Sequence, residues 1–320
     1  MDREARRSWF ALQGWQEDIL DVGRQRQAQW SWRKLRKARR WSRVLRRIPG
    51  IRMIAIGNAL GYGNCRAASD IDLVIITAPG RIWTARFLIV SILKLFRQRP
   101  GEHGADALCP SFFLTTDALC LESLQLPERQ SSIVNHQSPI PPDPYLLFWP
   151  TQLTVLFDAG GVYDRFWSAN AAWVRRWLPD AEPRAIHPRW GMRVRSLAAR
   201  SSQLARVLES LVRAWQLPRL LRAFPQANRD TSVIMNDSML KFHTHDRRQE
   251  FRDAWMAQLA LQPSPFVMPS GSSSVMPSGS SSVMPSGSSS VMPSGSSSVM
   301  PSGSSSVISS EVEKSRLGVQ

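Results

Sequence analysis

The sequence predicts an α+β fold: a small mixed sheet with flanking helices, then a helical region and a low-complexity tail. Three observations carry this. Short β-branched runs cluster between residues 51 and 115, apolar residues recur at helical spacing from Pro144 onward between Pro and Gly breakers, and one octapeptide repeats without drift over 267–306. The implied units are a basic N-terminal helical segment (1–44), a sheet-forming core (45–126), a helical region (127–262) and a Ser/Gly/Pro repeat tail (263–320).

In chain order, Leu12, Trp15, Ile19 and Val22 follow helical spacing among many arginines, which predicts one or two amphipathic helices before residue 50. Their tryptophans are expected to pack on the following domain while the arginines stay solvated. Ile51–Ile56 (IRMIAI) ends in glycine and Ile71–Ile76 (IDLVII) is β-branched, so both read as buried strands. Residues 81–97 read as a helix stopped before Pro100-Gly101, and 107–115 as a third strand carrying Pro110 near its start. Further helices are expected at 144–157, 162–177, 189–215 and 246–261. The repeat Val-Met-Pro-Ser-Gly-Ser-Ser-Ser is half serine and supplies only Val and Met to a core, so disorder is expected there.

Charge is unevenly spread. The chain carries 41 Lys+Arg against 25 Asp+Glu, a net +16, with about +9 each in residues 1–50 and 183–252 and near neutrality elsewhere. Two basic flanks around a neutral centre argue for a phosphate-bearing polyanion as partner rather than an acidic protein, and keep the chain off cationic surfaces. The three cysteines, Cys65, Cys109 and Cys120, match neither a disulfide framework nor close zinc-binding pairs, so a reduced, cytoplasmic setting is expected. The N-terminus shows no secretory apolar stretch. The most apolar run, Ile82 to Phe96, is interrupted by Arg86 and Lys94 and falls short of the roughly twenty residues of a spanning helix.

The chemistry centres on Gly57-Asn58 and Ser69-Asp70-Ile71-Asp72-Leu73. Strand alternation turns Asp70 and Asp72 to one face, where paired carboxylates suit Mg²⁺, a cation that takes one or two carboxylates plus substrate phosphate oxygens. The turn after the first strand offers backbone N–H groups to an anion, and glycine allows close approach.

Strand, Gly-Asn turn, about a dozen residues and Asp-Ile-Asp-Leu entering the next strand resemble the nucleotidyltransferase superfamily that includes DNA polymerase beta. The resemblance covers roughly residues 45–126. The segments at 144–178 and Asn236 to His243 are similar to a bacterial branch of that superfamily. It implies a minimal nucleotidyltransferase sheet, Asp70 and Asp72 as catalytic Mg²⁺ ligands with room for a two-ion site, and Gly57, Asn58 and Ser69 as the nucleotide-binding turn. It also implies transfer of a nucleotidyl group from an NTP such as ATP to a hydroxyl or phosphate acceptor, RNA among them. The chain departs from the family pattern at Asn58, where Ser or Gly is usual, and in its third strand, which lacks an acid; Asp106 and Asp117 flank that strand.

Three further readings follow from the residues. Gly57-x-x-x-Gly61-x-Gly63 resembles a dinucleotide turn, but only six residues separate Gly63 from Asp70, too few for the helix that fold needs. The stretch Lys241 to Arg248 reads as a polar loop with Asp246 capping the last helix, and Lys241, His243 and Arg247 are candidates to fold back onto substrate phosphate. The missing acid supports an alternative function, an inactive nucleotidyltransferase-like protein binding nucleic acid through its basic helices.

Overall fold

A computed structural model describes residues 22–61, 63, 65–102, 104–127, 141–194, 203–244 and 246–261. The helical spacing at Leu12 to Ile19, His245 and the repeat tail lie outside the described residues. The chain is α+β: seven strands form one mixed sheet with helices on both faces.

The strands are β1 (Ile51–Ile56), β2 (Ile71–Thr77), β3 (Leu108–Thr115), β4 (Thr154–Ala159), β5 (Met192–Val194), β6 (Val233–Met235) and β7 (Met239–Phe242), in spatial order β5-β4-β1-β2-β3-β7-β6. β1 runs antiparallel to β2 and β4, β2 and β3 are parallel, and β7 is antiparallel to β3. One end of the sheet therefore collects the C-terminal ends of β1 and β7 and the N-terminal ends of β2, β3 and β4.

The helices are α1 (Val22–Leu45), the single turn α2 (Asn58–Gly61), α3 (Ile82–Leu95), α4 (Pro144–Phe148), α5 (Val162–Trp177), α6 (Gln203–Ala223) and α7 (Arg248–Leu261). Burial on both faces explains the near-continuous apolar strands. Ile71, Leu73 and Ile75 pack on one side with α1, α3 and the end of α6, while Val74 and Ile76 pack on the other with α4 and α5. Trp30, Trp32 and Trp41 of α1 lie partly buried against the first side, the packing expected of the N-terminal tryptophans. Among the described residues no helix is long and apolar enough to cross a membrane.

Three sequence expectations need correction. Residues 144–157 are not one helix: α4 stops before Pro150, and Thr154–Ala159 is a buried central strand paired with β1. A short apolar run such as Val155-Leu156-Phe157 reads equally well as either, and the sheet neighbour decides. Residues 189–215 are likewise divided, into β5 and then α6, which continues through Pro218 to Ala223 because Leu217, Leu220 and Phe224 pack on the core. The expected loop at 241–248 begins as strand β7, whose pairing with β3 buries Lys241.

Two buried charges of this frame are each held by several partners, as desolvation demands. Asp158 accepts the Val162 and Tyr163 N–H groups at the start of α5, at 2.8 and 3.3 Å, and the Arg193 guanidinium at 3.0 Å. Lys34 of α1 is fully buried; its ammonium binds the Asp106 carboxylate, the Ala67 carbonyl at 3.1 Å and the Ser69 carbonyl at 2.5 Å. The N-terminal helix thereby fastens the loop that delivers Asp70.

Candidate functional site

Gly57, Asn58, Ser69, Asp70, Asp72, Lys241 and Arg247 all lie at the sheet end defined above. The closest tie is between the turn and the acid strand: the Gly57 N–H donates to the Asp72 carbonyl at 3.2 Å. Asp72 is the second residue of β2 and half-buried, on the face of Val74 and Ile76. Asp70 precedes the strand by one residue and is also half-buried. Asp70 acts electrostatically on Lys37 of α1, whose pKa burial lowers, whereas Asp72 acts on Tyr145 of α4, whose phenol burial pushes up. The donor chemistry of the pair suits a hard divalent cation that keeps waters and shares phosphate oxygens. Among the described residues no group of three or more His, Cys, Asp or Glu side chains is placed around a metal position.

Neither candidate third acid joins them. Asp106 is taken up by Lys34 and by Arg33 at 2.8 Å; burial would raise its carboxyl, but these two hydrogen-bonding cations hold it below the usual value. Asp117 follows the C-terminal end of β3, at the opposite edge of the sheet, and is exposed.

Asn58 has a left-handed backbone, φ 52, a region asparagine enters more readily than serine. Its Oδ1 accepts from the Tyr145 hydroxyl at 2.9 Å and the Trp149 indole N–H at 3.1 Å. With the oxygen engaged twice, the amide nitrogen is the group left to donate. Tyr145 and Trp149, four residues apart around α4, were not singled out by the sequence; their i, i+4 spacing on the expected helix was the available signal.

The Gly57 turn is closely packed. A Cβ there would meet the Trp149 ring at 3.2 and 3.3 Å and Val74 at 3.3 Å, so this glycine accommodates the indole that holds Asn58. Gly57→Ala is expected to cost about 1–3 kcal/mol through this overpacking, measurable by chemical unfolding. Arg184 braces the turn from behind, donating to the Gly61 carbonyl at 2.8 Å, the Gln152 carbonyl at 3.2 Å and Thr154 Oγ1 at 3.0 Å.

Beside this turn opens a cleft of about 190 Å³, walled by Asn58, Tyr145 and Trp149 on one side and by Lys241, His243, Asp246 and Arg247 on the other. Asn58, Lys241 and Arg247 line it; Gly57, Ser69, Asp70 and Asp72 are not among its walls. Tyr145 connects the two halves, bonded to Asn58 within the cleft and electrostatically coupled to Asp72. Lys241 donates to the Thr231 carbonyl, and burial, aided by the like charge of Arg248, lowers its pKa to about 8. Burial lowers His243 to about 3, so the imidazole is neutral near pH 7. Its Nε2 is buried with no hydrogen-bond partner among the described residues. Arg247 is exposed at the rim, 2.7 Å from Glu250 and 5.6 Å from the Phe251 ring centroid.

The cleft wall is fixed by Arg248, which the sequence reading passed over. Its guanidinium binds Asp143 at 2.9 Å, Asp246 at 2.6 and 2.9 Å, the Leu124 carbonyl at 2.6 Å and Thr231 Oγ1 at 2.6 Å. Asp246 also accepts the Arg248 N–H at the start of α7, close to the capping role expected of it.

No protein-family model matches this chain, and neither a curated protein nor a solved structure matches it.

Proposed function

We propose that this sheet end is the site of an Mg²⁺-dependent nucleotidyltransferase, which moves a nucleotidyl group from an NTP to a hydroxyl or phosphate acceptor. One observation supports the reading: at one end of the sheet the Gly57 N–H donates to the backbone carbonyl of Asp72 at 3.2 Å, beside a cleft lined by Asn58, Lys241 and Arg247. Asp70 and Asp72 would hold the cation, which when bound neutralises phosphate charge. The Asn58 amide, Lys241 and Arg247 then donate to the triphosphate, Lys241 as a compact cation and Arg247 as a planar fork. The acceptor oxygen attacks the α-phosphorus, forming one P–O bond as the bond to pyrophosphate breaks, and positioning with charge stabilisation supplies most of the catalysis. The basic α1, fastened to the loop before Asp70, would draw an anionic acceptor such as RNA.

Incubation of the full chain with each α-labelled NTP, Mg²⁺ and total cell RNA tests this. Label transfer with pyrophosphate release is expected. A second reading has its own observation, the engagement of Asp106 with Lys34 and Arg33, which leaves the acid pair without a third member from the third-strand region. It predicts salt-dependent RNA binding with no transfer from any NTP.

Lys241 gives the nucleotide reading a pH signature. Its folded pKa, about 8, lies below the ordinary 10.5, so the ammonium is lost as pH rises through 8. KM for the NTP is expected to climb between about pH 7 and 9, and Lys241→Met to raise KM at pH 7 and flatten that climb. The same shift opposes folding while the lysine is charged; that penalty fades as pH rises from 8 towards 10.5.

A further inference from the structure

α6 packs Val212, Leu217 and Leu220 on the core, yet it leaves a second apolar stripe outside. Its inward side carries polar groups: Glu209 accepts the Trp83 and Thr84 N–H groups at the start of α3, at 2.8 and 2.9 Å. Gln216 donates to the Trp83 carbonyl at 2.9 Å and accepts from Arg86 at 2.5 Å. These buried bonds fix the rotation of the helix, because rolling it would strand the first N–H groups of α3. Its outward side carries Leu204, Val207, Leu208, Leu211 and Trp215, which recur at three- and four-residue steps, with Leu204 79% and Leu211 63% exposed. Soluble helices bury such a stripe, so its exposure marks a surface made to meet something.

The charges around the stripe choose the partner. Glu209, the single acid of α6, faces inward, so the exposed charges of this helix are arginines: Arg206, Arg219 and Arg222. Arg219 lies 4.3 Å from the Trp215 ring centroid, a pairing of aromatic and cation suited to a boundary between apolar and charged phases. A second copy docked face to face would set these arginines against one another in a protein already at net +16. Apolar residues flanked by arginine along about 30 Å of helix match an interface of acyl chains under anionic headgroups.

We propose that α6 docks the protein on an anionic lipid surface, its leucines and Trp215 entering the acyl boundary while its arginines meet lipid phosphates. The face lies along α3, apart from the cleft at the sheet end.

Flotation of the full chain with vesicles tests it. Vesicles of phosphatidylcholine with phosphatidylglycerol are expected to carry the protein, and phosphatidylcholine alone at least about tenfold less. The double variant Leu208→Ser, Leu211→Ser changes only exposed side chains, so it is expected to keep its circular dichroism and melting temperature and to lose flotation about tenfold or more. Arg219→Gln with Arg222→Gln should lower binding and reduce its salt dependence. The proposal is overturned if the wild-type chain stays unbound, or if the serine variant floats equally. It is also overturned if light scattering reveals a dimer that the serine substitutions split, which would assign the face to a second copy.

Discussion

Asp72→Asn is expected to reduce Mg²⁺-dependent label transfer by at least about a thousandfold while leaving the fold intact. The substitution is nearly isosteric, and Asp72 supports the sheet through its backbone: its carbonyl accepts the Gly57 N–H, and β2 pairs with β1 and β3 on either side. Only the charge and one oxygen are lost. A carboxamide binds a hard divalent cation far less well than a carboxylate, so Mg²⁺-dependent NTP binding should fall with turnover. Asp70→Asn should act in the same direction, but it also removes a charge that supports the Lys37 ammonium. The two are separable: salt-dependent RNA binding should survive Asp72→Asn, whereas unchanged NTP affinity in a titration calorimeter with Mg²⁺ would remove the acid pair from the site. Retained transfer in the variant would do the same for catalysis.

The elements nearest this pair were legible because local signals and tertiary context agree there. β1, β2, α3 and β3 coincide with their sequence reading to within a residue or two. Their β-branched runs are bounded by glycine and proline, and nothing in the packing overrides those signals. β4 reads as helix because apolar residues resume at Leu153, Val155, Leu156 and Phe157 after the Pro150-Thr151-Gln152 break, and a strand buried on both faces has no alternation to betray it. Lys241 was read as loop because a charge at that position looks solvated; its burial depends on the Thr231 carbonyl, ten residues away and invisible to periodicity. α6 shows the same limit. Its apolar spacing is legible, but which side turns inward depends on Glu209 and Gln216 finding α3 more than a hundred residues earlier. At the site, the Asp-x-Asp and glycine-turn spacings were readable, whereas the cleft arises from long-range pairings such as β3 with β7.

Arg248→Met is expected to destabilise the fold by about 3–5 kcal/mol, the largest stability effect among these substitutions. Its side chain is 6% exposed and faces Asp143, which is fully buried, and Asp246, which is 19% exposed. Methionine fills much of the volume but leaves the Asp143 and Asp246 carboxylates without their shared guanidinium, and it strands the Leu124 carbonyl and Thr231 Oγ1. The melting temperature should drop on the order of 10 °C. The sign with pH follows from Asp246. Burial would raise its carboxyl, but the Arg248 hydrogen bonds bring it below the ordinary 3.8, so its contribution is present above that value and is lost as pH falls through the lower folded one. The deficit of the variant should therefore be full near pH 7 and shrink below about pH 4, where Asp246 can take a proton in place of its partner. Denaturant unfolding at both pH values measures it, and an equal deficit at each would assign the loss to packing. The same substitution loosens the wall that carries Lys241 and Arg247, so KM for the NTP should rise in the folded variant even where label transfer persists.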